Sequence, residues 1–400
     1  MKGDIGVGVM QEVIFEITKD HLETGMRGVP VGYCVSSSVD SLKGLLYAGR
    51  PLSEIFHWEP IDVIYLLFHG REGSCEEVGL FYKEIVARSK CSSELIEAIR
   101  ALPRRLDPMA LLSSALLICG GLEGVKGYRE DCLHLIAKLP EIVANIIHHH
   151  AGWGECSPSC PELGYMENFA QMLKVPNVNL EVLTRIFKLF NVLHYDHGGG
   201  SLSAFVGKAV ASGLGDMYGA VSSAMNALAG PRHGRANQEC LKFIKEAYKK
   251  LGDRVTVSQM ESFIREEWKR EELFFGFGHA VLRVEDPRAG VLYEIVNKEC
   301  FNNPLVKMAN LLRIAGTNIL KQEPKISNPY PNVDAISGTL LAGMGFDYPE
   351  YFTLLFGLSR CVGISLQIVY ERTEARNGRG TPIVRPKFFY KPKEMASMIF

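Results

Sequence analysis

The sequence predicts an all-α protein with a small irregular or β element near its N-terminus. Three observations carry this expectation. Leu180–Leu193 places Val182, Ile186, Leu189, Phe190 and Leu193 on one face at three- and four-residue spacing, behind Asn179 as N-cap. Ser258-Gln-Met-Glu261 has the form of a capping box, followed by a buried stripe of Met260, Phe263, Ile264 and Trp268 on an otherwise charged helix. Apolar strands alternating with helices are absent, which argues against a parallel sheet.

In chain order, Val13–Ile17 alternates in a short β-like way, and Met26–Tyr47 is broken by Gly, Pro and Ser. From there helix follows helix. Glu130–His150 has helical periodicity but contains Pro140, which is expected to break or kink it near Leu139. Repeats, low-complexity segments and Ser/Gly linkers are not found, so any domain boundary falls in ordinary loops.

The 400 residues suffice for about two domains with a substantial core. With 44 Lys and Arg against 45 Asp and Glu, the net charge of −1 provides no overall basic field for nucleic acid, although local basic sites remain open. The longest uncharged stretches, Pro108–Leu122 and Met217–Pro231, fall short of the roughly 18–20 apolar residues that span a bilayer, so no membrane partner is expected. Asp4, Glu12, Glu16 and Asp20 make the N-terminus unlike a signal or transit peptide. The chain reads as cytoplasmic, of bacterial type, or as a form from the mitochondrial matrix whose transit peptide is missing. The 10 cysteines form no CxxC pair and read as reduced thiols. Cys156 and Cys160 follow His148, His149 and His150, but a C-x3-C spacing without a second pair argues against zinc, and no metal is expected.

The candidate chemistry lies in the second half. Beyond residue 150 only His194, His197, His233 and His279 remain, each bordering one of the turns Gly198–Gly200, Gly230–Gly234 and Gly276–Gly278. Glycine lets backbone amides approach a ligand closely, and imidazole exchanges a proton near neutral pH. Asp334 sits between Val333 and Ala335, two residues after Asn332. It is either a general base with a raised pKa or a helix cap after a Pro-rich turn. Arg283, Arg288, Arg360 and Arg385 can form clamps for carboxylates or phosphates. GFGHAV begins like a dinucleotide fingerprint but ends in Val281 and follows a charged run, Glu266–Glu272, rather than an apolar strand.

GPRHGRANQE, GFGHAVLRVEDPR and NPYPNVDAISG, in this order, resemble the three signature blocks of the citrate synthase family, most closely its dimeric, mitochondrial-like type. The likeness extends through GMRG (25–28), LIAKLP (135–140), HYDHGGGSLSAF (194–205), AMNALAG (224–230), FGLSRCVG (356–363) and VRPK (384–387). It implies a two-domain helical homodimer that condenses acetyl-CoA with oxaloacetate and water to citrate and CoA. The CoA thioester is then a substrate, and no cofactor is implied. The large domain, residues 1–233 and 340–400, would carry dimerisation and the oxaloacetate site, and a small mobile domain, residues 234–339, the CoA site.

Carried over by position, Asp334 would be the base, His233 would stabilise the enol and His279 would polarise the oxaloacetate carbonyl. His197, Arg288 and Arg360 would hold oxaloacetate, with Arg385 reaching across the dimer interface. Arg27 and Arg283 match positions that meet CoA phosphates, and Leu273–Gly278, including Gly276, Phe277 and Gly278, matches the loop that meets adenine. Ser203 matches a residue that orients His233, and Asn332 supports the Asp334 block. The chain departs from the family where DHEGGN is usual: Asp196-His197-Gly198-Gly199-Gly200-Ser201 lacks an acid and an amide beside His197. Lys126 is the nearest candidate for a further CoA-phosphate cation, and Arg232 and Arg235 flank His233 where smaller or apolar residues are usual. The alternatives are a 2-methylcitrate synthase using propionyl-CoA, or a catalytically silent homologue serving as a binding or scaffold protein.

Overall fold

A computed structural model describes residues 13–270 and 274–392. The chain divides into two units, Met1–Cys34 and Val35–Phe400. In the first, the described residues contain one short 3-10 turn, Lys19–Glu23, entered through Thr18, whose backbone N–H donates to His21 Nδ1 at 3.0 Å. Val13–Ile17 is not a strand. Among the described residues no strand pairs with it, and Val13, Ile14 and Ile17 are exposed.

The second unit opens on the β element. Strands β1 (Ser37–Asp40), β2 (Gly44–Tyr47) and β3 (Arg50–Pro51) form an antiparallel sheet in that order, with Ser37 opposite Tyr47. The remaining elements are helical among the described residues. Phe352–Val369 lies at the centre, packed against Pro108–Glu123, Tyr128–Ala151, Leu180–His194, Leu202–Ser212 and Met217–Leu228. It belongs to a 26-residue stretch, Pro349–Glu374, that is long and apolar enough to cross a membrane, yet the whole of its most apolar window is buried inside the protein. Arg360 stands in the middle of this helix and splits its uncharged run, so the stretch does not stand out in the sequence. Ala236–Leu251, Val257–Trp268, Pro287–Glu299, Pro304–Leu320 and Asp334–Gly343 pack mainly on one another.

Helix Leu180–His194 forms as expected, with Asn179 Oδ1 accepting the backbone N–H groups of Glu181 and Val182. The expected capping box is displaced. Thr256 and Gln259, not Ser258 and Glu261, exchange the side-chain-to-backbone bonds, so this helix starts earlier. Glu261 instead accepts from Asn318 Nδ2 at 2.9 Å, tying the helix to Pro304–Leu320. The Met260, Phe263 and Ile264 stripe is buried, with Trp268 half-buried.

Tyr128–Ala151 is one helix that contains Pro140, so the break does not occur. Proline removes the N–H that would bond the carbonyl of Ile136, four residues back. That carbonyl accepts instead from the buried Tyr165 hydroxyl at 2.7 Å, so packing supplies what the helix lacks. The cysteines other than Cys34 are free thiols. His148 and His149 bond the carbonyls of Leu173 and Leu102, and His150 bonds the Tyr351 hydroxyl, while Cys160 Sγ contacts Glu162.

Tyr165→Phe is expected to destabilise the fold by about 1–3 kcal/mol, the cost of an orphaned buried carbonyl. The loss should shrink in a Pro140→Ala background, where the helix can bond Ile136 itself. Denaturant midpoints of the two singles and the double check this coupling.

Candidate active site

Four segments far apart in sequence meet around the central helix. The first comes directly after Leu180–His194, where Asp196 is completely buried. Its carboxylate accepts from the hydroxyls of Ser36 at 2.5 Å and Ser37 at 2.8 Å, from the His197 N–H at 2.9 Å and from Gln367 Nε2 at 2.7 Å. Gln367 also donates to the Gly198 carbonyl, and Ser37 Oγ accepts the Gly198 N–H at 2.7 Å. The His197 turn is thereby clamped between β1 and the central helix. Gly363 permits this approach: its N–H donates to the Tyr195 carbonyl at 3.1 Å, and a Cβ there would lie 2.6 Å from Asp196 Cβ.

The second segment presents His279. Asn332 N–H donates to the Gly276 carbonyl at 2.9 Å, Gly278 N–H to Tyr330 at 3.0 Å and Asn332 Nδ2 to Gly278 at 3.0 Å. Gly276 has φ +80°, and a Cβ there would come within 2.9 Å of Ala335 Cα and Cys240 Sγ, so this turn requires glycine. His279 Nδ1 accepts the N–H groups of Val281 and Leu282, both at 3.0 Å, which leaves the ring proton on Nε2. That proton points at His197 Nε2, 3.3 Å away.

The third segment presents His233. Its Nε2 accepts the Ser203 N–H at 3.3 Å and stands 2.9 Å from Ser203 Oγ, so its proton is on Nδ1. Ser203 is fully buried at the start of Leu202–Ser212, where the first N–H groups have no partner within the helix. Desolvation pushes His233 down to about 4, with the charge of Arg360 adding to it. His279 is likewise held down to about 4 by burial, then by Arg288. His197 is driven well below the ordinary histidine value by burial and by both arginines. All three rings are neutral donors or acceptors at pH 7.

The fourth segment presents Asp334 as the first residue of Asp334–Gly343. Asn332 Oδ1 accepts the Asp334 N–H at 2.9 Å, so one side chain ties the His279 turn to the Asp334 helix. The Asp334 carboxylate does not cap its helix: the residue is half-buried, while Oδ1 is itself buried and has no partner. Burial lifts its pKa to about 7 against the opposing pull of Arg288 and Arg360. The cap alternative is therefore not realised, and the carboxyl is left without a structural partner for its buried oxygen.

The cations complete the cluster. Arg288 pairs with the buried carboxylate of Asp286 at 2.7 Å, and Asp286 is held ionised below its usual value by Arg288 despite its burial. Arg360 is also buried. Its Nε donates to the His194 carbonyl at 3.0 Å and its guanidinium lies 4.7 Å from the Phe356 ring centre, but it makes no ion pair with any described residue. Burial lowers its pKa to about 10. A buried guanidinium without a carboxylate favours an anionic ligand strongly, because only a counter-charge offsets its desolvation.

Other expected residues make no bond to this cluster. Arg283 is exposed and folds back onto the carbonyls of Ala280, Val281 and Leu282. Arg27 is exposed in the first unit, on a turn where its N–H bonds the Thr24 carbonyl. Arg385 is exposed in an extended segment, with no hydrogen bond or ion pair to the histidine cluster. Lys126 and Arg232 are exposed, whereas Arg235 pairs with Asp107 at 2.6 Å. Leu273 lies outside the described residues. Sequence reasoning missed Asp196, Asp286 and Gln367. For Asp286 a signal existed: Asp-Pro at a helix start predicts the N-cap it forms with the Arg288 N–H at 3.0 Å.

The helical fold thus gathers three histidines, the Asp334 carboxyl and two buried arginines, groups chemically suited to acid–base work on an anion. A family model described as the C-terminal domain of citrate synthase matches residues 25–387. The mitochondrial citrate synthase of Citrus maxima is 33% identical over 97% of this chain and 85% of its own length. Citrate synthase 4, mitochondrial, of Arabidopsis thaliana is 32% identical over 93% and 82%. A citrate synthase from Thermoplasma acidophilum, solved in a ternary complex with carboxymethyl coenzyme A and oxaloacetate, shares the fold at a TM-score of 0.81 and 23% identity, over 94% of this chain and 97% of that one. The chain belongs to the citrate synthase family, whose members are acyltransferases.

Nitrogen-15 NMR of the imidazoles should show His279 as the neutral Nε2–H tautomer and His233 as the neutral Nδ1–H tautomer at pH 7. Both should stay uncharged until the pH approaches about 4. A charged ring at either position at pH 6 contradicts the site geometry.

Proposed function

We propose that this protein condenses acetyl-CoA with oxaloacetate and water, giving citrate and CoA. The observation that carries this reading is Asp334, a carboxyl with a buried, unpartnered oxygen and a pKa lifted to about 7, within the field of two buried arginines. The ligands of the Thermoplasma acidophilum relative, carboxymethyl coenzyme A and oxaloacetate, support it.

A thioester methyl proton is only weakly acidic, so its removal requires the developing enolate to be stabilised at the same moment. Asp334 takes the proton. The His233 Nδ1–H, left free because Nε2 faces Ser203, donates to the thioester oxygen. A placed base contributes typically ~10²–10⁴ in rate and a preorganised donor ~10²–10³. Oxaloacetate, a dianion, supplies the counter-charge that Arg360 lacks and engages Arg288 and His197. The His279 Nε2–H then leaves His197 to polarise the carbonyl that the enol attacks. Hydrolysis of the resulting citryl thioester by water releases citrate and CoA.

Arg283 and the Gly276-Phe277-Gly278 turn belong to the CoA site in this reading. Residues 234–339 act as a mobile domain that excludes water during the reaction. A homodimer brings Arg385 into the neighbouring site, and no cofactor beyond the CoA thioester takes part. The mitochondrial relatives favour a matrix location over the cytoplasmic one. Acetyl-CoA is favoured over propionyl-CoA, consistent with the names of those relatives.

Asp334→Asn should reduce kcat by at least about 10²-fold while oxaloacetate still binds. In the wild-type enzyme kcat/KM for acetyl-CoA should rise with pH through about 7 as Asp334 ionises, because only the carboxylate accepts a proton. A flat profile between pH 5.5 and 8.5, or an Asp334→Asn enzyme within about tenfold of wild type, overturns the assignment. A higher kcat/KM for propionyl-CoA would overturn the substrate choice.

A further inference from the structure

The central helix passes at Tyr370 into a π-helical turn, Tyr370–Glu374, and the chain then runs as an extended strap toward Arg385. Three contacts bind this strap to the C-terminal end of Leu202–Ser212, the helix whose first turn holds Ser203 against His233. Lys208 and Glu371 form an ion pair at 3.2 Å with side chains only 8% and 12% exposed. Arg372 donates to the Ala211 carbonyl at 3.3 Å and to the Thr381 carbonyl at 3.0 Å, joining helix, turn and strap. Ser212 Oγ accepts the Val384 N–H at 2.9 Å, one residue before Arg385. The Thr381 N–H closes the loop by donating to the Glu371 carbonyl at 2.9 Å.

An exposed strap has no need of so many directed contacts for its own sake. Residues 385–392 are exposed, and Arg385 makes no hydrogen bond or ion pair with any described residue. Burying an ion pair costs desolvation, and an apolar pair of similar volume often serves stability as well or better. What a buried pair with directed hydrogen bonds does supply is a defined geometry, here for the backbone immediately before a free guanidinium.

We propose that Lys208, Glu371, Arg372 and Ser212 are positioning residues that set the strap so that Arg385 enters the oxaloacetate site of the neighbouring subunit. This rests on the dimeric reading above. It also gives Leu202–Ser212 two tasks: its first turn orients His233 of its own site, and its last turn aims an arginine at the neighbour's.

The test is steady-state kinetics of the full-length enzyme with oxaloacetate varied, together with thermal melts. Ser212→Ala and Glu371→Gln should each raise the KM for oxaloacetate by about fivefold to tenfold, in the range of one lost charge-assisted contact, with kcat within about twofold. In an Arg385→Ala background the same changes should add nothing to KM, since the residue they position is gone. Lys208→Met combined with Glu371→Leu removes both charges and should restore any lost melting temperature while KM stays high, which a purely structural role would not produce. If Arg385→Ala leaves KM unchanged, the dimeric reading falls and this inference with it. If Arg385→Ala raises KM but Ser212→Ala and Glu371→Gln do not, the dimeric reading stands and the positioning role is wrong.

Discussion

The structure is organised around a guanidinium buried without a carboxylate partner. Arg360 sits midway along a helix whose every residue is buried, where an uncompensated cation costs several kcal/mol. The fold offsets part of that cost with the His194 carbonyl, the face of Phe356 and the field of Asp196. None of these neutralises the charge by direct contact. The same desolvation that strains Arg360 lifts Asp334 toward neutrality and holds His197, His233 and His279 uncharged. In the proposed reaction the substrate dianion offsets the first, and the second set of shifts suits proton transfer at neutral pH. Burial is thus a single cause with two consequences, anion affinity and matched proton affinities.

Rigid support of the reactive groups comes from backbone as much as from side chains. Asp196 and Gln367 lock the His197 turn from two directions, and Asn332 spans from Gly276 and Gly278 to Asp334 with one amide. The departure from the family pattern beside His197 is compatible with this support. The carboxylate that holds the turn is Asp196, which the chain retains, and Ser37 Oγ takes the Gly198 N–H. Ring tautomers obey the same logic: backbone N–H groups occupy one nitrogen of His233 and of His279, so each proton faces the other way.

Much of the helical framework was legible locally. The Asn179 cap and the stripe after it depend on side chains within one or two turns of each other, and both appear as read. Legibility failed where a distant segment intervened. Pro140 reads as a helix breaker until Tyr165, from the next helix, reaches the carbonyl it frees. Ser258 and Glu261 read as a capping pair as well as Thr256 and Gln259 do, and the contact of Glu261 with Asn318 separates them. Val13–Ile17 has strand-like alternation without a strand to pair with, whereas the actual strands, from Ser37 to Pro51, lie in and just beyond a stretch read only as irregular.

The sequence by itself determined the helical class and the family, because cap chemistry, periodicity and glycine-flanked histidines are properties of short segments. Only the tertiary structure decided what those residues can do. Whether Asp334 caps its helix, which nitrogen of His233 and of His279 carries hydrogen, and that Arg360 lacks a counter-ion while Arg288 has Asp286 all depend on burial and on how the chain is packed around each group. Desolvation and hydrogen-bond geometry are properties of the packed interior, and no local pattern encodes them.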